Sequence, residues 1–412
     1  MVIVNTDILF NQLKQQIQSK PFVLMQMYSD VQKHPQENRI SCIWVDFQDE
    51  QYIVPIHHTE KFRDINNLIT TKQTIYVDDL KQYRHNALVI SDDIRDMNWS
   101  WYQQTNQPYD MEQHLTNAHH HYNRLHYDKE NINDLIPLVK HAEYFGPISK
   151  ELYKSYEQHD QTILENLYQI ERNGLKTYEK IIYSEYNPYT STGRPSNRFG
   201  GMNFAALNKS DGSRKQFISR FNNGVLVEMD FDAYHLRLIG EIVDYKFPKG
   251  SVHEHMAELY GLPYDEAKAL SFKYLYGGIS DEVSDNPFFS KVNDYIKLLW
   301  QDYKTNNFVK SYIYNRRIYK KNLQDMNPNK LFNYMIQLME TENNMRVLSE
   351  LIPEIEGSQY QSDLVLYNYD AFLFDFDTKD GLEFLKMVKE TIESGGKYPV
   401  KTSRGVNYHK MD

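Results

Sequence analysis

Short apolar runs separated by turn residues dominate the first quarter of the chain. Their β-branched and aromatic residues predict successive strands, which are Phe22–Tyr28, Ile40–Asp46, Gln51–Pro55 and Ala87–Ile90. Helical periodicity follows from about Asp110 to Tyr127 and from Ile132 to Tyr144. This part of the chain is therefore expected to be mixed α/β.

Two aspartates in the second half belong to strongly apolar segments. Asp230 ends the run Val225–Met229, and Asp370 lies inside Leu364–Phe374. A carboxylate within an apolar strand is costly unless it is paired, hydrogen-bonded or bound to metal. Two such strands in one chain predict a shared cation site.

A helix between these strands carries a cation and two aromatic rings on one face. Lys268, Phe272 and Tyr276 are spaced i, i+4, i+8, and Gly277 and Gly278 provide a helix end. An ordinary amphipathic helix shows the same spacing. With the two aspartates, however, the pattern suits a nucleotide, since the lysine matches phosphates and the rings match a base.

In this order the residues resemble the three polymerase motifs of family A, the bacterial DNA polymerase I family. Asp230–Arg237 resembles the first motif, Lys268–Gly277 the second and Tyr369–Asp370 the third. The primer-template motif of the family is similar to Thr192–Ser196 with Asn203 and Phe204, and the segment that leads into its thumb is similar to Leu164–Gly174. Later palm features are similar to Asn315–Tyr319, to Asn333 with Gln337, and to Gly405–Tyr408. The similarity covers roughly residues 160 to 410.

The resemblance implies an α/β chain of the α+β type in two domains. Residues 1–150 are expected to form an exonuclease-like domain with a mixed sheet. Residues 151–412 are expected to form a polymerase domain, with an antiparallel palm sheet and helical fingers. The implied reaction is template-directed addition of dNMPs from dNTPs to a primer 3′ end.

The resemblance also implies roles for single residues. Asp230 and Asp370 would bridge two Mg²⁺ ions, with Mn²⁺ as an alternative. Lys268 would act in catalysis by neutralising charge on the phosphates. The residues expected to bind the nucleotide are Lys268, Phe272, Tyr276, His235 and Arg237, and those expected to bind primer-template DNA are Arg194, Asn203, Arg214, Arg316, Arg317, Asn333 and Gln337.

Three positions depart from the family pattern. Tyr264 replaces an arginine one turn before Lys268, and Arg237 or Lys273 would compensate for the lost charge. His235 replaces a glutamate that excludes a 2′-hydroxyl. Ala371 replaces a second carboxylate in the third motif. Two alternatives therefore stay open. One is a polymerase-derived protein that binds primer-template without catalysis, and the other is a relative of single-subunit RNA polymerases or primases.

The implied accessory functions look reduced. Where the family's exonuclease carries two acidic metal ligands, the first long strand offers Gln26 and Tyr28, which cannot hold two divalent cations. Further acids are expected to be surface residues or remnants of metal ligands, namely Asp92, Asp93, Asp96 and Asp110. Only residues 175 to 191 are available for a thumb, so we expect low processivity unless a processivity or replisome protein, or oligomerisation, supplies the grip.

Composition adds constraints on partners and location. The formal net charge of −10 argues against non-specific coating of nucleic acid, although basic residues concentrate in 191–220 and 304–330. The single cysteine, Cys42, excludes an intramolecular disulfide. No apolar stretch approaches the roughly 18 residues of a membrane span, and the first residues do not resemble a signal peptide. We expect a cytoplasmic protein without a membrane partner, in the host cytoplasm if a phage encodes it.

Overall fold

The computed structural model describes residues 1–28, 30, 33–56, 69–107, 160–197, 202–208, 210–279, 283, 285–409 and 411–412. The chain divides into two compact units. Unit 1 comprises Met1–Arg172, Tyr183–Tyr189 and Asn197–Met202, and unit 2 comprises Asn173–Ile182, Thr190–Ser196 and Asn203–Asp412. The predicted helices at 110–127 and 132–144, with Asp110, lie outside the described residues.

Unit 1 contains a mixed six-stranded sheet. Its strands are β1 (Val2–Ile3), β2 (Phe22–Tyr28), β3 (Ile40–Asp46), β4 (Gln51–Pro55), β6 (Ile75–Val77) and β8 (Ile94–Asp96), whereas β5 (Ile69–Thr70) and β7 (Val89–Ile90) pair separately. The order is β1-β4-β3-β2-β6-β8. Strand β3 is antiparallel to both of its neighbours, β2 and β4, whereas the pairs β1-β4, β2-β6 and β6-β8 are parallel. Three of the four predicted strands have the predicted bounds, and the fourth is reduced to β7.

Four helices belong wholly or largely to unit 1, namely α1 (Asp7–Ser19), α2 (Leu80–His85), α3 (Met97–Thr105) and α4 (Thr162–Asn173). Helix α1 begins at the cap Thr6, whose hydroxyl accepts from the Leu9 N–H. It buries Phe10, Leu13 and Ile17 in the core of this unit. Leu164 of α4 joins the same core, so unit 1 extends past residue 150, where the sequence predicts a boundary.

Unit 2 is built on a four-stranded antiparallel sheet in the order β16-β17-β13-β18. Its strands are β13 (Val225–Phe231), β16 (Asp363–Asn368), β17 (Ala371–Phe376) and β18 (Val400–Gly405). Smaller strands of this unit are β9 (Leu175–Lys176), β10 (Ile181–Ile182), β14 (Phe308–Lys310) and β15 (Arg317–Tyr319), whereas β11 (Tyr186–Asn187) belongs to unit 1 and β12 (Ser196–Asn197) lies where the chain passes from unit 2 to unit 1. The predicted α+β class with an antiparallel sheet is confirmed.

Six helices complete unit 2, namely α5 (Tyr234–Ile242), α6 (Val252–Tyr260), α7 (Tyr264–Gly277), α8 (Pro287–Thr305), α9 (Pro328–Glu356) and α10 (Gly381–Ile392). The five helices from α5 to α9 share one apolar core, which contains residues such as Leu236, Met256, Phe288 and Phe332. Helix α9 is 29 residues long and mostly buried. It therefore provides the frame against which the other helices are placed.

The segment from Leu175 to Ser191, all of it described, contains no α-helix. Three strands of two residues each occupy it, β9, β10 and β11. A long helical pair is thus absent from the place where the resemblance would put a thumb.

No helix in the described ranges combines the length and the apolar composition needed to cross a bilayer.

Candidate active site

The sheet of unit 2 brings Asp230 and Asp370 together along the backbone. Asp230 lies near the end of β13 and pairs in register with Ala371, and the N–H of Phe231 donates to the Asp370 carbonyl at 3.1 Å. The sequence predicted that Asp370 lies within a strand, and this prediction is wrong. The apolar run folds into two strands, and Asp370 occupies the two-residue turn between them.

This turn is held in an unusual conformation by its surroundings. Tyr369 has φ +60°, which is rare for a bulky side chain and costs of order 1 kcal/mol. The Asn344 amide donates to the Tyr369 carbonyl at 2.7 Å, and the Arg194 guanidinium lies 3.8 Å from the centre of the Tyr369 ring. Contacts from distant parts of unit 2 therefore hold the turn that carries Asp370.

The electrostatic setting of Asp370 disfavours its charge. Asp370 lies at the solvent-exposed turn, yet neighbouring protein atoms remove part of its hydration. This desolvation raises the pKa of Asp370, and the carboxylate of Glu340 raises it further. A cation close to Asp370 would relieve both effects.

Helix α7 presents the predicted nucleotide-binding face. The rings of Phe272 and Tyr276 are 6.1 Å apart and nearly parallel, with 2° between their planes. Lys268, one turn before Phe272, is exposed and forms no ion pair with any described residue. The predicted helix is confirmed, and its aromatic rings form a stacked pair.

His235 joins α7 to α9 through both of its ring nitrogens. Nδ1 hydrogen-bonds the Tyr276 hydroxyl, and Nε2 lies 2.7 Å from Oε2 of Glu340. The ionised Glu340 carboxylate only accepts, so Nε2–H donates to it and, in the neutral imidazole, Nδ1 accepts from Tyr276. Burial raises the pKa of Tyr276 to about 12, with Glu340 adding to the shift, which keeps the phenol protonated as that donor.

Glu340 is a central residue that the sequence analysis missed. Its side chain is 1% exposed, and its Oε1 accepts from the Arg194 Nη2 at 3.0 Å. The same carboxylate thus holds Arg194 and His235. A sequence signal existed, since Glu340 continues the spacing of Asn333 and Gln337 at i, i+4, i+7 on a mostly apolar helix.

Asn344 extends this row by four residues, and we call Asn333, Gln337, Glu340 and Asn344 the polar stripe of α9. Asn333 donates to the Tyr276 carbonyl at 3.1 Å. Asn344 donates to the Tyr367 hydroxyl at 2.9 Å and to the Tyr369 carbonyl. The stripe therefore connects the end of α7 with the turn that carries Asp370.

A second charged group lies beside Asp230. Asp232 accepts from Arg237 Nη2 at 3.2 Å and lies 2.7 Å from the Lys401 Nζ. Although partial burial opposes it, these two cations lower the pKa of Asp232. Arg237 also donates to the carbonyls of Asp232 and Gly250, so this predicted nucleotide-binding residue is engaged by the protein itself.

The predicted DNA-binding residues divide into two groups. Arg214 is buried, donates to the Leu207 carbonyl at 2.9 Å and stacks 4.4 Å from the Tyr408 ring. This placement serves the fold and does not present the guanidinium to DNA. Two others are exposed, Asn203, which caps a short 3-10 helix, and Arg317, which lies over the Phe308 ring.

Arg316 lies in the loop between β14 and β15. Lys273, a predicted substitute for the missing arginine, is exposed on α7 but five residues from Lys268, which rotates it about 140° to another face. It does not reinforce Lys268.

On the strand where the family's exonuclease carries its metal ligands, the side chains are hydrogen-bonded to backbone groups of unit 1. Gln26 donates to the Tyr83 carbonyl at 3.3 Å and accepts from the Leu88 N–H at 3.3 Å, and the Tyr28 hydroxyl donates to the Gln82 carbonyl. Both side chains of β2 are thus bonded to the segment around α2.

The acids of unit 1 have separate surroundings. Asp96 is buried and caps α3 by accepting from the Trp99 N–H at 2.7 Å, so it is neither a surface acid nor a free ligand. Burial, with a contribution from Asp79, raises the pKa of Asp96 well above its usual value. Asp93 pairs with Arg95, and Asp92 is exposed.

Unit 1 also contains a cluster with the residue types of a metal site. Ligand atoms of His34, His85 and Glu171 lie within 4.8 Å of one another. However, the His34 Nε2 bonds the Ser184 carbonyl and its Nδ1 accepts from the Gln36 N–H. Glu171 already holds the buried Lys81 at 2.6 Å. Since both His34 nitrogens and the Glu171 charge are committed, the cluster is a closed ion-pair network.

Comparisons with known proteins agree with this architecture. No family model matches the chain, and no curated protein matches it in sequence. The polymerase domain of Pol1 from M. smegmatis, solved with DNA primer-template and dNTP, matches with a TM-score of 0.69 at 12% identity over 99% of both chains. This chain has the fold of a DNA polymerase I polymerase domain.

The resemblance predicted from the motifs is therefore confirmed at the level of the fold. Within this fold, Asp230, Asp370, Arg194, His235 and Tyr276 belong to connected parts of unit 2. Glu340 bonds Arg194 and His235, and His235 in turn bonds Tyr276. Arg214 lies apart from them. The sequence motifs thus identified one continuous region without identifying the residue at its centre.

Proposed function

We propose that this protein is a template-directed DNA polymerase that adds dNMPs to a primer 3′ end. The observation that carries the proposal is the adjacency of Asp230, on β13, and Asp370, in the turn that leads into the paired strand β17 of a polymerase-like fold. The stacked rings and lysine of α7 support it, because they supply the features a nucleoside triphosphate requires. Phosphoryl transfer depends mostly on positioning and charge neutralisation, which this arrangement can provide.

The aspartates fit a divalent metal site. Both offer carboxylate oxygens, the ligands that Mg²⁺ prefers. Desolvation and the nearby Glu340 carboxylate raise the pKa of Asp370, and a bound cation would stabilise its charged form. We propose that Asp230 and Asp370 hold two Mg²⁺ ions, or Mn²⁺ in their place. When bound, such ions activate the primer hydroxyl and stabilise the leaving pyrophosphate.

The remaining residues position the substrate. Lys268 is free to donate to phosphate oxygens, and Phe272 with Tyr276 offers flat surfaces for sugar and base. Arg194 stacks on Tyr369 beside Asp370, where it can reach the minor groove at the primer end. Asn333 and Gln337 continue that surface along α9, and contacts of this kind read base-pair shape rather than sequence.

His235 supports selection of deoxynucleotides. Both of its ring nitrogens are hydrogen-bonded, one to Tyr276 and one to Glu340, so the imidazole has no free nitrogen to hydrogen-bond a 2′-hydroxyl. A fixed ring then acts through its bulk. This favours dNTPs over rNTPs and weighs against the RNA polymerase or primase alternative.

Two further properties are proposed from unit 1 and from the short segment Leu175–Ser191. Gln26 and Tyr28 are bonded to backbone carbonyls, which supports an exonuclease-like unit without proofreading. The lack of a helix in Leu175–Ser191 supports a curtailed thumb and low processivity. The exposed residues Asn203 and Arg317, with the half-buried Arg316, would then share the grip on DNA with a replisome partner.

Primer extension on a primed template tests the proposal. The wild-type protein should extend the primer with dNTPs and Mg²⁺, whereas Asp230→Ala and Asp370→Ala should abolish extension. Asp294→Ala, which removes a surface carboxylate paired with Lys297, is the matched control and should remain active. A labelled primer 3′ end would expose nuclease activity.

The outcomes separate the alternatives. Extension that survives both aspartate changes would refute the assignment. Primer-template binding by a folded wild-type protein without any extension would favour a non-catalytic binding protein. Faster incorporation of rNTPs than of dNTPs would favour the RNA polymerase or primase alternative.

A further inference from the structure

The face of α7 that meets the nucleotide carries a single positive charge. Lys268 is that cation, because Tyr264 one turn earlier is a phenol and Lys273 points about 140° away. A nucleoside triphosphate carries several negative charges that must be neutralised during transfer. A second cation from another element would therefore complete the site.

Lys401 is placed to be that cation. It lies on β18 directly opposite Asp230 in the sheet register, and 67% of its side chain is exposed. One ion pair, to Asp232 at 2.7 Å, orients its ammonium group. Since an ammonium has three N–H donors, donors remain for a phosphate.

His253 shows that Lys268 and Lys401 face the same space. Its ring lies 5.8 Å from that of Tyr264 and 5.9 Å from that of Phe272, which puts it against the face of α7 that bears Lys268. Burial lowers the pKa of His253, and Lys268, Lys401 and Arg237 lower it further, against an opposing effect of Asp232. The His253 Nδ1 is buried and has no hydrogen-bond partner.

A polar atom that is buried without a partner requires an explanation, and a hydrogen bond to a bound ligand is one that fits a site beside Lys268. His253 is 3% exposed, and cations from two different elements act on it. Lys401 also interacts electrostatically with Tyr264 and Asp230. Cations thus lie on two sides of the space between α7 and the beginning of β18, next to Asp230 of the proposed metal site.

We propose that Lys401 binds the triphosphate of the incoming nucleotide from the sheet side, opposite Lys268. Asp232 orients the ammonium group, and Arg237, bonded to Asp232 and to two carbonyls, fixes the carboxylate. This inference rests on the proposed polymerase function. It assigns the second phosphate contact to β18 rather than to the helix.

Single-nucleotide incorporation kinetics test the role of Lys401. Lys401→Ala should raise the KM for dTTP by about tenfold, the loss expected for one charge-assisted phosphate contact, with kcat nearly unchanged. Lys401→Arg should retain most of the affinity. Lys397→Ala is the matched control, because Lys397 is also exposed, at 49% of its side chain, and pairs with one carboxylate, Glu241, at 2.6 Å.

A double variant separates phosphate binding from simple neutralisation of Asp232. If Lys401 only balances Asp232, then Lys401→Ala with Asp232→Asn should recover the wild-type KM, and that recovery would overturn the inference. Persistence of the raised KM supports it. Inhibition by inorganic tripolyphosphate with Mg²⁺ should weaken in Lys401→Ala by the same factor as dTTP binding.

Failure of the two proposals can be told apart. A wild-type protein that extends no primer would end the proposed function. An active wild type with an unchanged KM for dTTP in Lys401→Ala would end this inference alone.

Discussion

Glu340→Ala should destabilise unit 2 because one buried carboxylate holds two other side chains. The carboxylate accepts from Arg194 at 3.0 Å and from His235 at 2.7 Å. Hydrogen bonds to charged groups contribute about 1.5–3 kcal/mol each. Arg194 and His235 keep partial access to water, at 27% and 14% exposure of their side chains, so the low end applies. We expect the free energy of unfolding to fall by about 3 kcal/mol.

Glu340→Gln refines this estimate. The amide keeps the shape of the side chain and one oxygen for Arg194, but its NH₂ group faces the Nε2–H donor of His235. One of the two hydrogen bonds is therefore lost, and the expected destabilisation is about 1.5 kcal/mol. The loosened imidazole should also raise the KM for dNTPs.

Urea unfolding followed by intrinsic fluorescence measures these differences. Glu350→Ala is the control, since Glu350 lies on the same helix but is exposed, and it should change stability by less than about 0.5 kcal/mol. A Glu340→Ala protein as stable as the Glu350→Ala protein would show that the carboxylate does not hold this network.

Two other predictions concern histidines. His235→Ala should raise rNTP incorporation relative to dNTP by at least about tenfold on one primed template, and unchanged discrimination would mean that the imidazole does not sense the sugar. Burial lowers the pKa of His34 from its usual 6.5 to about 4. Between these two pH values His34 is protonated in the unfolded chain and neutral in the folded one. Stability should fall by up to about 3 kcal/mol as pH drops from about 6.5 towards 4. His34→Asn, which keeps an acceptor for the Gln36 N–H, should flatten that dependence in acid-unfolding curves, and an equally steep loss would contradict the assignment.

Strands and the α7 helix were predictable because local pattern determines them. The runs at Phe22–Tyr28 and Ile40–Asp46 alternate with turn residues, and the structure keeps their bounds. Helix α1 was also readable from the cap Thr6 and from the i, i+3, i+7 spacing of its buried residues, but we did not predict it.

Features that depend on distant contacts were not predictable. The turn at Tyr369 contains no glycine or Asn-Gly signal, and its left-handed residue is held by Asn344 and Arg194 from elsewhere in unit 2. Arg214 looked like a DNA contact because its neighbours are basic, yet its partner is a carbonyl seven residues away. Charge along a sequence does not reveal which cations become buried.

The polar stripe of α9 has an evolutionary consequence. Its residues lie on one helix, and three of them, Asn333, Glu340 and Asn344, bond to other parts of unit 2, so a change in one alters the requirements on the others. Substitutions along the stripe should be strongly epistatic, with effects that do not add. A lineage that altered Glu340 would have to change His235 or Arg194 in the same step or lose fitness between steps.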